Sequence, residues 1–236
     1  MITVRRAQER VSRSHDGQNP SRMVDFVGPG ATNGFHGLAY LDEQSLHSGH
    51  PVSHRPDDAS EVLLYVRDGT VTLQDGSTAI TLPAGSVLRA AAGRSADIDA
   101  RNTPPHSTAH LFRIGLMPSA LSLHMDLTWT WFSIASRQQT LRAVASWDGR
   151  SGALRLSHNA VVYSAVLRSG RHVMHPIGHD RGVWIHVIAG KGRLGGLELS
   201  TGDGAGLVHE PVISFTPSEE TEVLVIDLPR LPDERP

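Results

Sequence analysis

Two groups of histidines in this 236-residue chain have the type and spacing that most directly suggest metal chemistry. One group precedes an apolar segment in the first half and consists of His47, His50 and His54. The other holds the equivalent place in the second half and consists of His172, His175 and His179. Imidazole nitrogen is a common ligand of zinc and iron, so either group could contribute to a metal site. The chain has no cysteine, so any metal would depend on histidine, carboxylate or water.

Composition excludes several other classes of chemistry. Without cysteine there can be no disulfide framework, thiolate metal site or cysteine nucleophile. The chain carries 22 Lys and Arg against 24 Asp and Glu, and this net charge of -2 offers no basic surplus to a nucleic acid. No Ser-His-Asp arrangement, phosphate-binding glycine loop or dinucleotide fingerprint is visible in the sequence. The N-terminus lacks a secretory signal and no segment reaches about 18 apolar residues, so we expect a soluble, cytoplasmic protein with no membrane partner.

Short apolar segments separated by glycine and proline indicate an all-β fold. Clear examples are Val62–Val66, Val161–Leu167 and Val183–Ile188. Helix is a minor component. The best helical candidate is Ile134–Ser146, whose place between the two halves suits a connector.

An internal repeat indicates two copies of a whole β domain. Gly170 lies 121 residues after Gly49, Gly190 lies 121 residues after Gly69, and each pair brackets a polar stretch, an apolar strand and a turn. A repeat of this length is typical of domain duplication and not of a solenoid. Chance recurrence of glycine in a glycine-rich chain is the alternative.

A series of motifs along the chain resembles the pirin family. The first half carries a pattern similar to the first barrel of pirins: Gly49-x5-Arg55-x-Asp57-x3-Glu61-x7-Gly69, then Leu82-Pro83-Ala84-Gly85-Ser86-Val87, then Ala91-Ala92-Gly93. The two ends of the chain are similar to the ends of the family: Phe35-x-Gly37-Leu38-x-Tyr40-Leu41-Asp42, and Thr201-Gly202-Asp203-Gly204-Ala205 with Val225-Ile226-Asp227-Leu228-Pro229. The resemblance therefore covers nearly the whole chain.

The resemblance implies a bicupin, an all-β protein with two packed cupin-type β-barrels, each a double-stranded β-helix, and a short helical connector. We expect an N-terminal barrel over residues 1–120, a connector over 121–150 and a C-terminal barrel over 151–236. Pirins hold a metal, usually iron, in the N-terminal barrel. Some of them oxidise flavonols such as quercetin with dioxygen, and the eukaryotic members are nuclear cofactors.

The positions that hold the metal in pirins carry poor ligands in this chain. The family uses a His-x-His pair, which falls on Arg55 and Asp57, and a later His and Glu, which fall on Ile98 and Ala100. Only Asp57 could bind a metal, because Arg has a permanent positive charge and no lone pair to donate and the other two side chains donate nothing. We therefore expect no metal cofactor, with iron or another divalent metal as the alternative.

A rebuilt metal site would have His54, Asp57 and Glu61 as its ligands. Alternation along one extended strand argues against it, because His54 would face away from Asp57 and Glu61. In the second barrel the positions equivalent to Arg55 and Asp57 are Pro176 and Gly178, neither of which is a ligand. The flanking His175 and His179 are expected to face outward.

The repeat also predicts which residues line the second barrel. Glu61, Leu63 and Tyr65 correspond to Gly182, Trp184 and His186, which we expect to point inward. His186 is then interpreted as a buried core histidine.

In place of a metal, the first barrel is expected to present charged and polar side chains: Arg55, Asp57, Glu61, Tyr65 and Arg113, the last at a position where the family often has Gln. Burial of an isolated charge is costly, so these groups should form ion pairs or bind a ligand. In the functional interpretation an arginine anchors a carboxylate or enolate oxygen, while Asp57 or Glu61 moves a proton. Tyr65, Arg113, Ile98 and Ala100 would complete the ligand-binding surface.

Two other interpretations of this region remain open. The charged residues could be a structural ion pair that fills the space of the lost metal. The aromatic residues Trp129, Trp131 and Phe132 could cover the pocket or pack between the two barrels.

The sequence therefore predicts a small-molecule-binding bicupin that works without a metal and that could be an isomerase, cyclase or lyase. The alternatives are a metal-dependent, quercetinase-like dioxygenase with substitute ligands and a non-catalytic binding or regulatory protein. The expected partner is a small molecule, without nucleic acid, and the expected assembly is a monomer or homodimer.

Overall fold

A computed structural model describes residues 1–14, 22–27, 35–49, 61–75, 78–91, 99–102, 104, 107–117 and 127–230. Within these ranges no helix is long and apolar enough to cross a membrane. Strands account for most of the described residues, as the sequence predicts.

Twenty-one strands are present in the described part of the chain. In chain order β1 to β21 are Ile2–Arg5, Val11–Ser14, Arg22–Val27, Leu38–His47, Glu61–Asp68, Thr70–Asp75, Thr78–Pro83, Ser86–Ala91, Asp99–Arg101, Thr108–Leu116, Thr128–Trp131, Arg142–Ser146, Leu154–Arg155, Val161–Leu167, Val173–Pro176, Arg181–Ala189, Lys191–Leu194, Leu197–Ser200, Gly204–Val208, Val212–Pro217 and Thr221–Pro229.

The chain divides into two compact units. The C-terminal unit consists of Met1–Arg10, Phe35–Gly37 and Ser133–Pro236, and the N-terminal unit consists of Val11–Gly34 and Leu38–Phe132. This division differs from the predicted boundaries at both ends of the first barrel. The N-terminus joins the C-terminal unit because β1 pairs with β19, and the second part of the predicted connector joins it because β12 pairs with β14.

The N-terminal unit is built from two sheets with a shared core. Its seven-stranded sheet has the order β11-β8-β5-β10-β4-β3-β2, and its three-stranded sheet has the order β7-β6-β9. The core draws on both sheets, with Leu64 and Leu111 from the larger and Val71, Leu73 and Leu82 from the smaller. Burial of these aliphatic side chains is the main force that holds the two sheets together.

The C-terminal unit repeats this plan. Its sheets have the orders β1-β19-β16-β21-β14-β12-β13 and β15-β20-β17-β18. Its core includes Val183, Ile185 and Val187 from the larger sheet and Leu199 and Phe215 from the smaller. The predicted duplication of a β domain is therefore visible in the architecture of the two units.

The predicted helix over Ile134–Ser146 is mostly wrong. The α-helix α1 covers only Ile134–Arg137, where Ser133 caps it by accepting a hydrogen bond from the backbone N–H of Ser136. The chain leaves helical geometry at Gln138, which is extended, and Gln139 has a left-handed φ of 59°. Residues 142–146 instead form β12, because pairing with β14 outweighs a weak helical preference.

The tryptophan pair Trp129 and Trp131 lies on β11, an edge strand that pairs with β8. Both side chains are substantially exposed, and the indole of Trp131 donates a hydrogen bond to the carbonyl of Ala84. Phe132, by contrast, is buried. Trp129 and Trp131 therefore belong to a sheet of the N-terminal unit, and Phe132 belongs to the same unit and not to a connector.

The predicted inward face of the second barrel is the wrong one. Val183, Ile185 and Val187 point into the core, so the alternate residues Trp184 and His186 point to the opposite side of the sheet. There Trp184 packs against Phe35, with ring centroids 5.6 Å apart. His186 is fully buried, as predicted.

Burial gives His186 a measurable influence on stability. Desolvation lowers the pKa of His186 from 6.5 to about 3, with a smaller contribution from the positive charge of Arg10. The unfolded chain takes up the proton near pH 6.5 while the folded chain resists it until about pH 3, so the free energy of unfolding falls as pH drops across this window.

We expect acidification from pH 7.5 to 5 to cost about 2 kcal/mol through His186. Urea unfolding at the two pH values measures this loss. His186→Gln should lose less stability on acidification than the wild type, because it removes the titrating group. His179→Gln is the matched control, since the His179 side chain is 97% exposed. Equal acid sensitivity in the wild type and His186→Gln would contradict the assignment.

Candidate functional site

The seven-stranded sheet of the N-terminal unit separates the predicted site residues onto two faces. Residues directly opposite each other in an antiparallel pair share a face, and Arg113 lies opposite Leu64, a core residue. Glu61 and Tyr65 alternate with Leu64, so they lie on the other face. The predicted grouping of Arg113 with Glu61 and Tyr65 is therefore not found.

On the core face, polar side chains follow one another along β4 and meet Arg113 on β10. Tyr40, Asp42 and Gln44 are all buried, and Asp42 lies directly opposite Arg113 in the strand register. One Nη of Arg113 donates a hydrogen bond of 3.2 Å to the Tyr40 hydroxyl, and the guanidinium carbon lies 5.4 Å from the ring centre. Among the residues whose side chains the structure describes, these four form a buried cluster of a guanidinium, a carboxyl group, a phenol and an amide, which we call the Arg113 cluster.

A glycine makes room for the tyrosine of this cluster. Gly115 lies opposite Tyr40, and a Cβ at this position would fall 2.3 Å from the ring. Such a distance is far inside van der Waals contact, so a larger residue would displace the ring from its place beside Arg113.

On the opposite face, Glu61 pairs with Arg89. Its Oε1 lies 3.8 Å from Nε of Arg89, and both side chains are at most one-tenth exposed. Tyr65 is also buried on this face, with its ring centre 6.5 Å from that of Phe112. Glu61 therefore takes part in a buried ion pair with Arg89, and the predicted role of Arg55 lies outside the described residues.

Several predicted site residues lie outside the described residues: His50, His54, Arg55, Asp57 and Ile98. The backbone of Ala100 lies in β9 and pairs with Leu73. No group of three or more His, Asp or Glu side chains suited to a metal ion is found in the described ranges.

The C-terminal unit contains a cavity of about 460 Å³ at the end of the unit where β14 and β16 begin and β15 and β21 end. We call it the Asp227 cavity. Its lining residues are Trp147, Arg150, Asn159, Val161, Tyr163, His175, Pro176, Gly178, Arg181 and Asp227. The sequence prediction assigned chemistry to none of the polar residues in this set except His175.

A network of charged groups around Asp227 forms one wall of this cavity. Oδ2 of Asp227 lies 2.7 Å from Nε2 of His175, and Oδ1 accepts a hydrogen bond from Nε of Arg181. Arg181 also donates to the backbone carbonyl of Asp227 and to both the side chain and the carbonyl of Asn159. The buried carboxylate thus has a cationic partner and an imidazole that hold it in place.

His175 and His179 behave differently from each other. His179 is exposed, as predicted. His175 was expected to face outward, but its side chain is only 12% exposed and its ring centre lies 4.9 Å from that of Tyr163. The hydrogen bond to Asp227 and the contact with Tyr163 turn this imidazole into the cavity.

Titratable groups at the open side of the cavity are also perturbed. Partial burial raises the pKa of Tyr163, and the negative charge of Asp227 adds to this rise. Hydrogen bonds from Arg150 lower the pKa of Asp148 to about 2. At neutral pH the phenol is therefore a hydrogen-bond donor, and Arg150 and Asp148 form an ion pair at the surface.

The signals that could have revealed these groups are polar residues inside strands. Asp227 interrupts the apolar run of β21, whereas Asp42 and Gln44 lie in a polar stretch of β4, residues 42–45, that follows apolar residues. Asp42 and Asp227 both occur in motifs that identified the family, where they served only as markers of the two ends.

Comparisons with known proteins agree with this architecture. Residues 143–228 match the family model of the quercetinase C-terminal cupin domain. A quercetin 2,3-dioxygenase of Escherichia coli K12 is 28% identical over 97% of this chain and 99% of its own length. The bacterial pirin YhhW of Escherichia coli, solved in complex with nickel(II), matches with a TM-score of 0.84 at 27% identity, covering 98% of this chain and all of that one.

A further relative establishes the family. The pirin-like protein of Caulobacter vibrioides is 30% identical over 189 residues, which are 79% of this chain and 80% of that protein. Together with two similar all-β units along the chain, this likeness confirms the resemblance found in the sequence. The chain belongs to the pirin family and has its bicupin fold.

Proposed function

We propose that the N-terminal unit binds a small oxygenated organic molecule without the metal that is usual in pirins. The observation that carries this proposal is the Arg113 cluster on the core face of the sheet. A buried guanidinium beside a phenol, a carboxyl group and an amide is a set of groups suited to fixing the oxygen atoms of a small molecule.

The donor chemistry of the family's metal positions supports binding without metal. Arg55 would repel a cation, and Ile98 and Ala100 have no donor atom, so a single carboxylate, Asp57, remains. One monodentate ligand does not hold iron or nickel against water. The residues at these positions therefore do not fit the metal, and we derive no step through it.

The Arg113 cluster suggests proton transfer as the chemistry. Arg113 would anchor a carboxylate or enolate oxygen, with the Tyr40 hydroxyl as a second polar contact. Asp42 lies opposite Arg113 on the same face, so it replaces Glu61 as the described carboxyl group best placed to move a proton. Asp57 and Arg55 stay sequence-based candidates for the same site. Such a site would serve an isomerase, cyclase or lyase.

A metal-dependent dioxygenase is the second candidate function. Relatives named quercetin 2,3-dioxygenase and a nickel-bound pirin support it. Its substitute ligands would be His54, Asp57 and Glu61. The pairing of Glu61 with Arg89 weighs against it, because a carboxylate engaged by a guanidinium is a poorer metal ligand.

Metal content separates these two candidates. We expect protein produced with iron or nickel in the medium to contain fewer than about 0.1 metal ions per chain after purification, measured by plasma mass spectrometry. About one ion per chain, lost in Asp57→Ala or Glu61→Ala but retained in the exposed control Asp180→Ala, would establish the dioxygenase-type site instead.

The organic ligand can be sought by mass spectrometry of small molecules released when the purified protein is denatured. We expect an oxygenated organic compound from the wild type, and at least tenfold less of it from Arg113→Gln, because a charge-assisted hydrogen bond is lost. Arg193→Gln, at an exposed position on β17, is the matched control. Equal release from both variants would contradict a role for Arg113, provided that circular dichroism shows both to be folded.

A further inference from the structure

The Asp227 cavity is the second concentration of polar groups in the described residues, and neither the family comparison nor the proposed function uses it. Every residue that lines it belongs to the C-terminal unit. We infer that the Asp227 cavity binds a small aromatic carboxylate, with its ring against Trp147 and Tyr163 and its carboxylate on Arg150.

The charges that line the cavity favour an anion. Two guanidinium groups, of Arg150 and Arg181, face one carboxylate, that of Asp227. Asp227 is only 6% exposed, and Arg181 and His175 already occupy both of its oxygens. Asp148, which pairs with Arg150, does not line the cavity, so the lining residues offer an anion the guanidinium of Arg150 and offer a cation no carboxylate whose oxygens are not already engaged.

Arg150 is the guanidinium that can reach a ligand. Arg181 directs its donors to Asp227 and Asn159 and is part of the wall. Arg150 pairs with Asp148, but this pair lies at the surface, and the Arg150 side chain is 45% exposed. Exposed ion pairs contribute little to stability, so the guanidinium can share or exchange its partner for a ligand carboxylate at small cost.

Hydrogen-bond donors complete the polar side of the site. The hydroxyl of Tyr163 is protonated at neutral pH and hydrogen-bonds with Arg150, so its own proton can be donated to a carboxylate oxygen beside that guanidinium. The hydrogen bond that His175 donates to Asp227 fixes the orientation of the His175 ring beside Tyr163. A ligand oxygen near Arg150 thus has a second donor without rearrangement of the wall.

The aromatic lining specifies the rest of the ligand. Trp147 is 47% exposed, so part of its indole surface is accessible to a ligand in the cavity. Tyr163 supplies a second ring that is already held against His175. A cavity of about 460 Å³ accommodates a molecule of one or two rings, and planar rings stack well on these surfaces.

Isothermal titration calorimetry with 2-naphthoate tests this inference on the full chain. We expect saturable binding of one 2-naphthoate per chain. Cyclohexanecarboxylate has the charge without the aromatic ring, and 2-naphthamide has the ring without the charge, so each should bind at least tenfold more weakly. No saturable binding of 2-naphthoate, or equal affinity for 2-naphthamide, would overturn the inference.

Substitutions of the lining residues test whether 2-naphthoate binds in this cavity. Arg150→Gln should weaken 2-naphthoate binding at least tenfold, and Arg150→Lys should recover part of the loss because the positive charge returns. Trp147→Leu should weaken it several-fold through loss of stacking. Arg193→Gln is the control and should bind as the wild type does.

The site does not depend on the proposed function of the N-terminal unit. If Arg150→Gln binds 2-naphthoate as tightly as Arg193→Gln, the probe binds elsewhere and the Asp227 cavity is not its site. Metal content and the release of compounds in Arg113→Gln, which test the other proposal, would be unaffected by that result.

Discussion

The alternation of side chains along each β-strand is the constraint on which the chemistry of this protein depends. Successive residues point to opposite faces of a sheet, so the register of two neighbouring strands decides which functional groups can meet. In the N-terminal unit this rule brings Arg113 and Asp42 to the core face and sends Glu61 and Arg89 to the other face. A shift of one residue would exchange the two sets.

The second constraint is the cost of burying charge. Asp227 is tolerated at a buried position because Arg181 and His175 satisfy both of its oxygens. Arg137, which is also buried, donates to Ser164 and lies 3.3 Å from Glu222. Each of these buried charges lies where a partner of opposite charge or a hydrogen-bonding group can reach it. The polar groups at such positions are held in fixed orientations, so they are also suited to binding a ligand.

The sequence predicted the architecture well because the architecture follows from patterns that can be recognised in the sequence alone. Glycines at a constant offset and short apolar segments indicated two copies of a β unit, and the family motifs identified the bicupin fold. The assignment of faces fails for Trp184 because it carries alternation from Pro176 and Gly178 forward to residue 184 as though one strand ran through, whereas β15 ends at Pro176 and β16 begins at Arg181. Alternation holds only within a continuous strand.

Other failures have a common physical cause, which is that tertiary pairing decides where local preference is weak. Residues 142–146 have a moderate helical pattern but pair with β14 in the sheet, with one irregularity between Ala143 and Ala145. The Asp227 cavity could not be predicted, since its groups come from five separate segments of the chain and meet only when the C-terminal unit folds. In the sequence, only the interruption of an apolar strand by Asp227 indicated a polar site in this unit.

We propose that the N-terminal unit binds an organic ligand and not the metal that is usual in pirins. The most direct measurement is a crystal structure of the purified protein after incubation with nickel(II), with diffraction data collected at the nickel absorption edge. We expect no anomalous peak in the N-terminal unit, and electron density for an organic molecule beside Arg113. An anomalous peak within about 2.5 Å of an oxygen of Asp57, a distance at which carboxylates bind metals, would contradict it.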